Sequence, residues 1–175
     1  MAIVVLLRGV NVGGHRRFKP KELADKLKAY DVVNIGAAGT FVVRKPGAQT
    51  KFREALRKQL PFECDVIACD GREVLRIEKD NPFEREQAGK EVVRFVSTLP
   101  PQRGPAPEIP LSLPNDDEWL VRLIAQDGQF VFGEYRRHMK TIGYLGQIDK
   151  LFGGRATTRN WSTMMSIARV LKARD

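Results

Sequence analysis

Arg8, Gly9, Asn11, Gly13 and Gly14, with Arg16 and Arg17 just beyond, fall inside one stretch, LLRGVNVGGHRRF at Leu6–Phe18. Glycines in such a turn permit positive φ and leave backbone N–H groups unobstructed. Successive N–H groups can cradle an anion, helped by a following helix, while the arginines add charge and Asn11 a donor. The stretch is not G-x-x-x-x-G-K-[ST], so the lysine and the magnesium-binding hydroxyl of a P-loop are missing. It is not G-x-G-x-x-G either. The same residues also suit a plain β-to-α connection with its arginines in water, and the sequence leaves both readings open.

A second cluster lies near the C-terminus in ATTRNWSTMMSIA, Ala156–Ala168. Thr157, Thr158 and Asn160 are N-cap candidates, and the last helix is expected from about Asn160 to Lys172. Arg159, Asn160 and Thr163 would then crowd a helix N-terminus, where a phosphate or carboxylate could sit with Arg159 as its clamp. The competing reading is a capped terminal helix with Trp161 in the core and Arg159 paired to a carboxylate.

No catalytic residue is assigned. No serine sits in G-x-S-x-G, and no Cys–His or Glu–His pair is close in sequence. Asn115-Asp116-Asp117-Glu118 reads as a turn after Pro114. Tyr135-Arg136-Arg137-His138-Met139-Lys140 reads as a polyanion contact or an exposed strand end. Cys64 and Cys69 are neither a C-x-x-C pair nor a zinc half-site, so buried reduced thiols are expected. His15 and His138 form no ligand pair. Neither a metal nor a cofactor is expected.

The elements that must position these residues can be traced through the pattern. Ile3–Leu7 is an unbroken apolar run suited to a strand covered on both faces. Pro20 opens a helix carrying Leu23, Leu27 and Tyr30. Strands follow at Val32–Ile35 and Thr40–Val43. A helix capped by Thr50 carries Phe52, Leu56 and Leu60, and Cys64–Cys69 is a fourth strand. This is β-α-β-β-α-β, the ferredoxin-like order. Gly71–Asp80 is a short helix ended by Asn81-Pro82-Phe83, and the polar stretch to Gly89 is the domain boundary. Val92–Val96 is then a strand. Six of the ten prolines fall between Pro100 and Pro114, so no regular element is expected there. Trp119–Ala125 and Gln129–Gly133 form a hairpin, and Leu145–Phe152 a short helix. The fold class is α+β: a ferredoxin-like subdomain over residues 1–80, then a second small α/β subdomain over 90–175.

The chain has 175 residues, 42% hydrophobic and 29% charged, which fits a globular protein. Ala2–Leu7 is too short to span a membrane and has no basic region before it, so a cytoplasmic protein without a leader or membrane contact is expected. The net charge is +9 and the pI about 9.8. Residues 1–80 hold 16 Lys and Arg against 10 Asp and Glu; residues 81–175 hold 14 against 11. Such an excess favours nucleic acid or a small anion, or else simply solvates the surface.

LLRGVNVGG at Leu6–Gly14, NPF at Asn81–Phe83 and TTRNWST at Thr157–Thr163 resemble the signatures of a bacterial family catalogued as domain of unknown function 1697. The likeness runs from end to end. It implies a cytoplasmic protein of two small α/β subdomains, the first ferredoxin-like, and it implies no activity. By likeness the motif positions are Arg8, Gly9, Asn11, Gly13, Gly14, Arg159, Asn160, Trp161 and Thr163. The chain departs from the family at Ala38 and Thr40, where a serine-glycine-asparagine step is usual. It departs again in the proline-rich segment 100–114, where a helix-bearing segment would be expected.

Three readings of function follow. In the first, the protein binds an anionic ligand, nucleic acid or a nucleotide or phosphate, in a cleft between subdomains. Its site residues are Arg8, Asn11, Gly13, Gly14, Arg159, Asn160 and Thr163. Nucleic-acid binding would be weak and charge-driven, because the first strand has no aromatic and the third only Phe41 to stack a base. In the second, the protein is an enzyme acting on a phosphorylated or carboxylated small molecule. In the third, it is an interaction scaffold without a ligand.

Overall fold

The computed structural model describes residues 1–83 and 89–173. The sequence-based domain boundary between Phe83 and Gly89 lies largely outside them. The chain divides into two compact units. One comprises Met1–Asp80 together with the chain from Met165 onward; the other is Asn81–Met164.

The first unit runs β1 (Ile3–Leu7), α1 (Pro20–Lys26), a 3-10 turn (Lys28–Tyr30), β2 (Val32–Ile35), β3 (Thr40–Val43), α2 (Gln49–Gln59), β4 (Val66–Asp70) and α3 (Gly71–Asp80). Its sheet order is β2-β3-β1-β4, with every neighbouring pair antiparallel. With the chain order β-α-β-β-α-β, that is the ferredoxin-like arrangement. Ile3, Val5 and Leu7 of β1 point to one face, as the two-residue period requires. There they join Phe41 and Val43 of β3, Leu23, Ala24 and Leu27 around α1, and Phe52, Leu56 and Leu60 around α2. Val4, Leu6, Thr40 and Val42 on the opposite face are at or below 1% exposure, so neither face of these strands is open to solvent. Phe41 is thus a core residue rather than a stacking platform.

Local details depart from the sequence pattern. α1 has only seven residues; Pro20 occupies its first turn, and Leu27 is the cap. α2 begins at Gln49, so Thr50 lies inside the first turn rather than capping it. Cys64 precedes β4 instead of opening it.

The second unit contains β5 (Val92–Thr98), β6 (Leu111–Leu113), β7 (Val121–Asp127), β8 (Phe130–Arg136), α4 (Thr141–Phe152), β9 (Thr157–Asn160) and the first turn of α5 (Trp161–Lys172). Its sheet order is β6-β7-β8-β5-β9, again antiparallel throughout. Phe95, Leu99, Val121, Leu123 and Val131 pack with Ile148 and Phe152 of α4. The proline-rich segment does hold one element. β6 fits its three residues between Pro110 and Pro114 at the sheet edge, where proline costs no ladder bond. The hairpin turns at Gly128 and Gln129, because Asp127 pairs with Phe130.

Around NPF, Asn81 Oδ1 accepts the Phe83 N–H at 3.1 Å, and Phe83 is fully buried. Its ring meets Trp161 at 5.1 Å and Phe132 at 6.1 Å, both edge-to-face. Two of the three sequence signatures therefore meet in one aromatic cluster of the second unit.

Candidate functional site

The turn after β1 is a small hairpin. Asn11 N–H donates to the Arg16 carbonyl at 3.1 Å and His15 N–H to the Val12 carbonyl at 3.0 Å. Gly13 (φ 57°) and Gly14 (φ 80°) form its tip, the left-handed pair of a type I′ turn. Their N–H groups donate to no described residue. α1 starts only at Pro20 and is seven residues long, so the anion cradle expected from a following helix dipole does not arise here.

Two further residues, Asn11 and Arg16, also take left-handed φ values, 53° and 50°. Asparagine tolerates this by bonding locally. Asn11 Nδ2 donates to the Ala37 carbonyl at 2.8 Å, and its Oδ1 accepts the Phe18 N–H at 2.9 Å. At the base, Arg8 N–H donates to the Asp65 carbonyl at 3.0 Å. The Arg17 guanidinium returns over Gly14: a Cβ there would stand 3.2 Å from its Nη2. An open cavity of about 520 Å³ lies against this turn, lined by Asn11, Gly14, Arg17, Phe18 and Lys19. Lys19 also faces Glu22 at 3.5 Å, a well-exposed pair.

Of the sequence candidates, Arg8, Asn11, Gly13 and Gly14 fall together in this turn, in the first unit. Arg159 and Asn160 fall in the second unit, and so does Thr163 in the first turn of α5. Their setting differs from the expected capped loop. Thr157–Asn160 is a strand, β9, paired with β5, and the helix begins directly at Trp161. β-branched Thr157 and Thr158 favour the extended backbone, and Thr158 Oγ1 bonds Ser97 Oγ at 2.6 Å across the ladder.

The pleat then sends Arg159 and Asn160 to opposite faces, so they form no common clamp. Arg159 is buried, and its Nη1 donates to the Thr158 carbonyl at 3.0 Å. Burial pushes its guanidinium down to about 10. Asn160 is exposed and its Oδ1 accepts from the Tyr135 hydroxyl at 3.4 Å.

Phe18 and Lys19 were not among the sequence candidates. The signal was an aromatic set among cations, HRRFK at His15–Lys19, which reads as the tail of a turn until the cavity is seen. Among the described residues no group of three or more His, Cys, Asp or Glu could hold a metal ion. No described helix is long and apolar enough to cross a membrane.

No curated protein matches the chain. One solved structure, described as that of conserved bacterial protein SP0830 from Streptococcus pneumoniae, superposes with a TM-score of 0.65, covering 98% of each chain at 16% identity. At that identity the likeness shows the fold alone. The model of a family described as protein of unknown function (DUF1697) matches residues 1–120, so the opening turn and NPF lie inside the match and Thr157–Thr163 beyond it. With more than half its length matched, the chain belongs to that DUF1697 family.

Proposed function

We propose that the protein binds an anionic ligand, a nucleic acid or a phosphate-bearing nucleotide, at the turn between β1 and α1. The observation that carries this reading is the composition of the cavity wall. Arg17 and Lys19 supply two cations, Gly14 a bare backbone and Asn11 a fixed amide, and no carboxylate among the described residues lines it. Glu22 sits outside, paired with Lys19 in an exposed ion pair that a phosphate can displace at small cost. Arg16 adds charge in the same turn, its Nη1 standing 3.6 Å from where a Cβ at Gly9 would be. The net charge of +9 would speed the approach of any polyanion.

The test is thermal. Phosphate or sulfate should raise the melting temperature more than chloride at equal ionic strength, because a ligand that binds only the folded state stabilises it. Arg17→Ala and Lys19→Ala should each remove most of that increment while leaving the melting temperature in chloride nearly unchanged. Equal stabilisation by sulfate and chloride in the wild type would overturn the reading.

A further inference from the structure

Beside the cavity at the turn lies a second, of about 280 Å³, lined by Glu22, Leu23, Lys26, Gln59 and Pro61 as well as Phe18 and Lys19. Phe18 and Lys19 thus form the wall common to both. We infer that the two cavities form one track for single-stranded nucleic acid, with Phe18 stacking a base and Arg17, Lys19 and Lys26 holding phosphates along it. This inference rests on the anion reading and narrows it to a polymer.

Three features favour a strand over a small phosphate. The first is extent: an isolated phosphate or mononucleotide has use for one cavity, whereas a chain crossing Phe18 uses both. The second is charge. Arg17, Lys19 and Lys26 border the track, and among the described residues Glu22 is the one carboxylate that lines it.

The third feature is the fixed aromatic. Phe18 is half-buried against the first unit's core, and its ring meets Phe62 edge-to-face at 5.8 Å. Its N–H is held by Asn11. A ring supported from below and anchored through its backbone loses little freedom when a base stacks on it, and stacking tolerates any base. The sheet offers no alternative platform, since Phe41 is buried in the core. A duplex keeps its bases stacked on one another and presents only phosphates, so it would forgo the Phe18 contact.

The experiment is fluorescence anisotropy with a labelled twelve-residue oligothymidylate at low salt, run beside the sulfate melting assay. Wild-type protein should bind the single strand more tightly than a duplex of the same length. Phe18→Leu keeps an apolar side chain against the core and removes the π-face. It should melt close to wild type and weaken single-strand binding about tenfold. Lys26→Ala should weaken binding and lower the slope of log affinity against log salt by about one. Unchanged affinity in Phe18→Leu, or equal affinity for duplex and single strand, would overturn the inference. A sulfate effect without oligonucleotide binding would overturn it too and leave the anion reading standing. Absence of both would overturn the two together.

Discussion

Asn11 Oδ1 accepts the Phe18 N–H at 2.9 Å across seven residues, so one side chain closes the opening turn. The same amide donates to the Ala37 carbonyl and ties the turn to the β2–β3 connection. Asn11→Ala removes both bonds and leaves a side chain without local compensation at φ 53°. The cost should be about 2–3 kcal/mol, from two partly exposed hydrogen bonds and a left-handed backbone. Asn11→Gly loses the bonds but not the backbone fit, so it should be about 1 kcal/mol more stable than the alanine variant. Urea unfolding midpoints check this. Equal midpoints for wild type and Asn11→Ala would refute it.

Gly39 and Gly13 both have positive φ, yet they should respond differently to alanine. A Cβ at Gly39 would stand 2.8 Å from Leu7 Cβ and 2.8 Å from Val10 Cγ2, both in the core. A Cβ at Gly13 would meet nothing within 4 Å. Gly39→Ala should therefore cost about 2–4 kcal/mol, from overpacking added to backbone strain. Gly13→Ala should cost about 1 kcal/mol, from strain alone. Thermal melts of the two variants read the difference directly, and a Gly13→Ala loss as large as that of Gly39→Ala would contradict it.

The reach of the sequence can be judged from particular elements. Ile3–Leu7 and the helix carrying Phe52, Leu56 and Leu60 are legible because one period dominates each and packing agrees with it. β9 was not. Thr157 and Thr158 suit a helix cap and an edge strand alike, and pairing with β5, which takes in Asn160 as well, decided between the two. β6 was hidden by its prolines, since three residues at an edge need no proline-free run. At the site, the glycine pair was visible from spacing. Its role as a hairpin tip was not, because that depends on Asn11 bonding residues 7 and 26 positions away. Phe18 was missed because a lone aromatic beside arginines acquires meaning only once cavities form on both sides of it.

In the second unit Glu134 is fully buried, and its Oε1 accepts from Arg122 Nε at 3.0 Å and Nη2 at 2.7 Å. Arg94 Nε stands 3.8 Å from its other oxygen. The Arg122 guanidinium also lies 4.3 Å from the centre of the Trp119 ring, with Arg136 at 4.1 Å from the same ring. Removing the carboxylate charge leaves Arg122 and Arg94 facing a neutral amide inside the fold. Glu134→Gln should cost about 3 kcal/mol. A double-mutant cycle with Arg122→Met should show the two losses failing to add by at least about 1 kcal/mol. Strict additivity would mean that the pair contributes through packing alone.

The two thiols should behave unlike each other. Burial, with Glu73 and Asp70 nearby, pushes Cys69 up to about 12, against an ordinary value of 9.0. Cys64 is raised by burial but partly offset by Arg16, and it is only half-buried. Thiolate is the reactive form, so at pH 8 iodoacetamide should label Cys64 slowly and leave Cys69 unlabelled until the protein unfolds. The same shift ties stability to pH. Cys69 keeps its proton in the folded state while the unfolded thiol gives it up above pH 9. Its contribution is therefore complete below that pH and is lost as pH rises from 9 towards 12. At pH 10 the loss should be about 1 kcal/mol relative to pH 8. Cys69→Ala lacks this thiol, so the wild type should lose more stability than the variant over the same interval, by that amount, in urea melts at the two pH values. Parallel losses in both proteins would show that Cys69 does not carry the effect.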